Sequence, residues 1–123
     1  MRTLVLAIVA FTAACDMPWA VEMEVQITNL PAAYQQWFDE VGRCMGEANR
    51  VGAGRFSRIG WYSSPSIHHR ESGAKALGLW TEPHKITLHA DFLEDASVVK
   101  HELVHDLLGS GTHGSEFFEV CAR

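Results

Sequence analysis

Val98-Val99-Lys100-His101-Glu102-Leu103-Val104-His105-Asp106-Leu107-Leu108-Gly109 carries the strongest pattern in this chain. It contains H-E-x-x-H, and His113 follows eight residues after His105. On a helix, residues four apart sit one turn apart on one face, so His101 and His105 project together. Two imidazoles at that spacing can share one zinc ion, with Zn–N distances of about 2.0–2.1 Å. Glu102 is expected about 100° around the helix from His101. Its carboxylate then lies beside the ion, where it can take a proton from a zinc-bound water. The composition alone would produce this motif about 0.03 times in a chain of this length, so it asks for a chemical explanation.

The surroundings of the motif support that explanation. Val99, Leu103 and Leu107 stack on one side of the expected helix, and Val104 and Leu108 widen that face. His101, Glu102, His105 and Asp106 share the remaining strip. A mostly buried helix with one polar strip is what the floor of a cleft requires. Gly109 and Gly111 offer a C-terminal stop and permissive backbone for the chain to turn back. Upstream, acidic and hydroxyl residues within 91–97 can cap the helix, and their charge favours its N-terminus.

Two histidines leave a catalytic zinc site incomplete, because such a site takes three protein ligands and an open position. His113, Glu116 and Glu119 are the downstream candidates; His113 is nearest in chain, and the glycine-containing loop lets it fold back. Asp106, directly after His105, is a candidate to orient an imidazole. His84 or His89 can lean toward the cleft and steady an oxyanion, although a polar position on a strand face explains either histidine as well.

Two short apolar runs, 76–80 and 85–89, precede the helix and flank Thr81-Glu82-Pro83-His84, which reads as a hairpin or loop between strands. The second run is expected to be an edge strand, able to hold an extended peptide by its backbone. Phe56, Ile59, Trp61 and Tyr62 suggest another strand with a bulge at Gly60. The segment 63–75, with His68, His69 and Arg70, reads as a loop. Leu30 to Arg50 is expected to be a helix: Pro31 suits its first turn, and Tyr34, Trp37, Phe38, Val41, Cys44, Met45 and Ala48 fall at helical spacing. Asp39, Glu40 and Glu47 then face solvent.

The N-terminus reads as a targeting segment. Met1-Arg2 is basic, residues 4–11 are apolar and Thr12-Ala13-Ala14 are small, as in a bacterial secretory signal peptide. Thr12-Ala13-Ala14-Cys15 also resembles a lipobox, which implies processing before a lipidated Cys15; ordinary cleavage near Ala14 is the alternative. Residues 16–29 are a linker or a first strand, since Val21, Met23, Val25 and Ile27 alternate with polar residues. With Cys15 set aside, Cys44 and Cys121 form an even pair, and an exported protein is expected to join them in a disulfide.

At 123 residues, 47% hydrophobic and 20% charged, the chain has material for one small core. A net charge of −5 and the lack of any Lys/Arg cluster argue against a nucleic-acid partner. The expected fold over 30–123 is α+β: an N-terminal helix, a short antiparallel or mixed sheet, the H-E-x-x-H helix and a short C-terminal helix. A monomer is expected.

The His101–His105 core and the trailing His113-Gly114-Ser115-Glu116-Phe117 resemble the H-E-x-x-H…H-G-x-x-F arrangement of SprT-like and WLM-like metallopeptidases, minimal gluzincin-type zincins. The resemblance covers about 86–118, roughly a quarter of the chain. It implies a zincin-like domain, Zn2+ as cofactor, His113 as third ligand, Glu102 as general base, and a peptide or protein substrate. The Cys-rich ribbon and basic surface of DNA-repair relatives are missing, so cleavage of DNA–protein crosslinks is not implied. The alternative function is a non-catalytic zinc-binding envelope lipoprotein or interaction module.

Overall fold

A computed structural model describes residues 17–52 and 55–123. The expected signal segment 1–15, with Cys15, lies outside the described residues. No helix among the described residues is long and apolar enough to cross a membrane.

Among the described residues the architecture is α+β, with three helices and two sheets. Within the expected 16–29 stretch, the described residues from 17 onward form two strands, β1 (Trp19–Glu22) and β2 (Val25–Gln26). Met23, at φ +47°, breaks the alternation between them and sends each strand to a different sheet. Helix α1 (Ala33–Met45) is shorter than the sequence pattern suggests. Gly46, at φ +78°, ends it, and a single 3-10 turn covers Glu47–Asn49. A positive φ is open to glycine without steric cost, so the helix stops where a Cβ is absent.

Two further expectations give way here. Phe56–Arg58 is a 3-10 turn, and the strand begins only at Gly60, giving β3 (Gly60–Ser64) with no bulge. The segment expected as a loop contains β4 (Ser66–His69), which pairs antiparallel with β1. Only Ile67 of β4 is buried, so its apolar signal was too sparse to read as a strand. Strands β5 (Gly78–Thr81) and β6 (Lys85–His89) form the expected antiparallel hairpin.

The larger sheet runs β2-β3-β6-β5, with β3 and β6 parallel. This corrects the edge assignment: β6 is interior and β5 lies at the edge. The expectation failed because the β3–β6 pairing joins segments far apart in sequence, which hairpin signals do not reveal.

Helix α2 (Ala96–Leu108) packs between α1 and this sheet. Asp95 caps it by accepting hydrogen bonds from Ser97 and Val98 N–H, and Gly109, at φ +65°, closes it as a left-handed C-terminal residue. Tyr34, Phe38, Val41 and Met45 of α1 meet Val99, Leu103, Val104 and Leu107 of α2 and Trp61, Ile86 and Leu88 of the sheet in one buried cluster. Each fully buried side chain of this kind contributes about 1.5–3 kcal/mol relative to exposure. Glu40 is not merely solvated: Lys100 Nζ bridges it at 2.9 Å, tying α1 to α2.

The C-terminal helix α3 is only Phe117–Val120. It is anchored from behind by the Cys44–Cys121 disulfide, with Cα atoms 5.7 Å apart. The bond spans 77 residues and links α1 to the end of the chain.

Candidate metal centre

Local chemistry positions each imidazole. His101 and His105 stand on successive turns of α2, as their spacing requires. The chain leaves α2 at Gly109, turns through Ser110–Thr112 and carries His113 back over the helix. His113 Nε2 lies 3.1 Å from His101 Nε2 and 3.1 Å from His105 Nε2. Among the described residues these three form the metal-competent group; neither Glu116 nor Glu119 joins it.

The two 3.1 Å contacts cannot both be hydrogen bonds. His105 Nδ1 is 2.8 Å from the Ser110 carbonyl oxygen, so Nδ1 carries the hydrogen and donates it. The lone pair of His105 is then on Nε2. His113 Nε2 has either a hydrogen or a lone pair, and it cannot serve both neighbours. Three lone pairs directed at one cation remove that conflict. Nitrogens bound tetrahedrally at about 2.05 Å from zinc sit about 3.3 Å apart, close to the spacing here. The three histidines can therefore hold a metal ion.

Electrostatics keep the donors available. Burial, then the neighbouring His113, lowers the pKa of His101. Burial pushes His105 down to about 4, against the upward pull of the Ser110 carbonyl. Neutral imidazole is the ligating form. The Phe118 ring lies beside all three imidazoles, its centroid 4.8, 4.6 and 5.2 Å from those of His101, His105 and His113, and it covers part of His101 and His105. The trailing motif in the sequence draws attention to Phe117, whereas the ring beside all three imidazoles is Phe118; both rings also pack against the core. In a four-residue helix a one-position error in phase exchanges the two rings, and nothing in the sequence corrects it.

Glu102 lies at the cleft floor, 5% exposed, and burial pushes its carboxyl up to about 8. It sits against Gly78 of β5. The cleft is a cavity of about 520 Å3 with the imidazoles and Glu102 at its base and Trp19, Leu77, Trp80 and Val98 among its walls. Trp19 comes from β1, a stretch that the sequence pattern could not distinguish from a tether.

Among the described residues no strand pairs with the outer edge of β5, which borders this cavity. His89 N–H donates to the Leu77 carbonyl, and Leu77 faces His89 in the register that pairs Gly78 with Leu88. Hydrogen-bonded and non-bonded pairs alternate along an antiparallel ladder. Leu79 and Thr81 therefore turn their backbone groups toward β6, while Gly78 and Trp80 present theirs at the open edge.

The other candidate residues lie outside the three-histidine group. Asp106 orients no metal-binding imidazole; it is fully buried, and its Oδ1 accepts from Trp80 Nε1 at 3.0 Å and from His84 Nδ1 at 2.9 Å. It thereby clamps β5 and the hairpin turn onto α2. Residue 106 lies about 100° around the helix from His105, which points the carboxylate at the sheet. His84 is held in that contact, and His89 Nδ1 accepts from Asp91 N–H, so neither lines the cleft. His68 and His69 belong to β4, where the His69 ring packs edge-on against Trp19.

Fold and site together define an α+β domain with a three-histidine centre able to hold a metal ion. Comparison of the chain with protein-family models, with curated proteins and with solved structures finds no match.

Proposed function

We propose that the protein is an exported, zinc-dependent metallopeptidase of the zincin type. The observation that carries this reading is the convergence of His101, His105 and His113 Nε2 with the Glu102 carboxyl beside them at the floor of one cleft. Three neutral imidazoles with an open position are the ligand set of catalytic zinc. Zinc, when bound, supplies Lewis acidity at this floor. Glu102 is the general base: it accepts a proton from the attacking water and passes it to the leaving amine. Burial alone favours its protonated form, whereas a divalent cation nearby favours the carboxylate it needs for that work.

An extended peptide fits the β5 edge. The outward N–H and C=O groups of Gly78 and Trp80 offer backbone hydrogen bonds independent of substrate sequence. The substrate is a peptide or protein; the acidic chain suits no nucleic acid. Export agrees with the disulfide, which persists in oxidising compartments. A lipidated Cys15 would attach the domain to the cell envelope.

Digestion of a peptide library by zinc-loaded protein, with and without a chelator, tests the reading. Cleavage that chelation stops and added zinc restores is the expected result. Stoichiometric zinc with no cleavage of any peptide would instead mark a non-catalytic zinc-binding envelope module.

A further inference from the structure

We infer that Gly78 is a positioning residue for Glu102: the missing side chain at the start of β5 leaves the space in which the Glu102 side chain lies. The inference rests on Glu102 being the general base. A methyl group on Gly78 would stand 2.7 Å from Glu102 Oε1, 2.8 Å from Cγ and 3.0 Å from Cδ. Non-bonded carbon contacts settle at about 3.5–4.0 Å, so the carboxyl-bearing arm would have to shift by about 0.7–1 Å. Three successive atoms are involved, and turning the carboxyl tip alone does not clear the overlap.

Conformational freedom does not explain this glycine, since its φ lies outside the left-handed region. Space explains it. Gly78 sits where the sheet edge crosses over α2, opposite Leu88, which is fully buried. Its face toward α2 admits Glu102, while its backbone N–H and C=O face the open edge. One residue thus sets the carboxyl's place between the peptide-binding edge and the imidazoles. Any side chain here pushes Glu102 out of that place without touching a ligand nitrogen.

A double-mutant cycle on metal-free protein reads the contact without turnover. Gly78→Ala should lower Tm by about 4 °C or more in the parent, and by less than about 1 °C in a Glu102→Ala background, where the new methyl fills the vacated space. If Gly78→Ala alone does not fold, folding of the double variant is the same result. Equal Tm losses in both backgrounds would overturn the inference.

Zinc-loaded Gly78→Ala should lose about 10–100-fold in kcat, because a misplacement near 1 Å costs about that much, with KM and bound zinc within about threefold of the parent. An unchanged kcat would also overturn it. If the parent cleaves no peptide, the proposed activity falls, and the stability cycle still decides whether Gly78 makes room for Glu102.

Discussion

In the metal-free protein, Glu102→Gln should gain stability relative to the parent as pH rises. Burial holds the Glu102 carboxyl near a pKa of about 8, against an ordinary value of 4.5. A carboxyl whose folded pKa is raised favours folding least at high pH: the unfolded chain releases the proton above 4.5, and the folded chain keeps it until about 8. Stability is therefore full below 4.5 and is lost as pH rises toward 8, at about 1.4 kcal/mol per pH unit. Relative to a neutral isostere, the parent loses about 0.8 kcal/mol at pH 5 and about 3 kcal/mol at pH 7. Glutamine keeps the shape and never ionises. A buried amide lacking partners costs about 1–3 kcal/mol, but that cost does not change with pH. The diagnostic is then the slope. Urea unfolding of metal-free parent and variant at pH 5 and pH 7 should show the variant gaining about 2 kcal/mol on the parent across that interval. His101 and His105 act in the opposite sense, because their lowered pKa values make the fold gain stability as pH rises toward 6.5. They are common to both proteins and cancel in the difference. A difference that is constant with pH would refute the claim that Glu102 is held dry in the metal-free fold.

His113→Ala should release the metal, with bound zinc after dialysis falling from about one per chain to well below it; Glu116→Ala and Glu119→Ala should retain it, since neither side chain reaches the cluster. Replacing Cys44 and Cys121 together by alanine removes a loop closure spanning 77 residues, an expected loss of about 4 kcal/mol in urea unfolding. Phe118→Ala should let more water reach His101 and His105 and raise their low pKa values toward the ordinary histidine value. Zinc would then leave at a higher pH during acid titration than it does from the parent. An unchanged release midpoint would show that the ring does not govern their hydration.

What could be read from the sequence was what is local. The H-E-x-x-H spacing, Asp95 as cap, Gly109 as stop and the His113 return all lie in one short stretch of chain, and helix geometry relates them directly. The disulfide was legible because two cysteines remained once Cys15 was assigned to processing. The α+β class followed from one helical stripe over Tyr34–Met45 and alternating runs around Ile86. Some misses are local, such as the end of α1 at Gly46 and the 3-10 turn at Phe56–Arg58; those that shape the cleft are long-range. Strand β4 needs β1, far upstream with all of α1 in between, before its polar residues read as a strand. Edge and interior strands were exchanged because the parallel β3–β6 pairing leaves no turn signature. Gly78 reaches Glu102 from a different element, and Asp106 finds Trp80 and His84 only after the sheet has docked on α2. These contacts shape the cleft around the ligands, and only the ligands themselves stand at motif spacing.

Peptide hydrolysis by parent and Glu102→Gln, with zinc counted in the same samples, tests most directly whether one carboxyl works beside a three-imidazole ion. Equal zinc near one per chain, with the variant at least about 100-fold slower, is the expected result. Equal rates at equal zinc would contradict it.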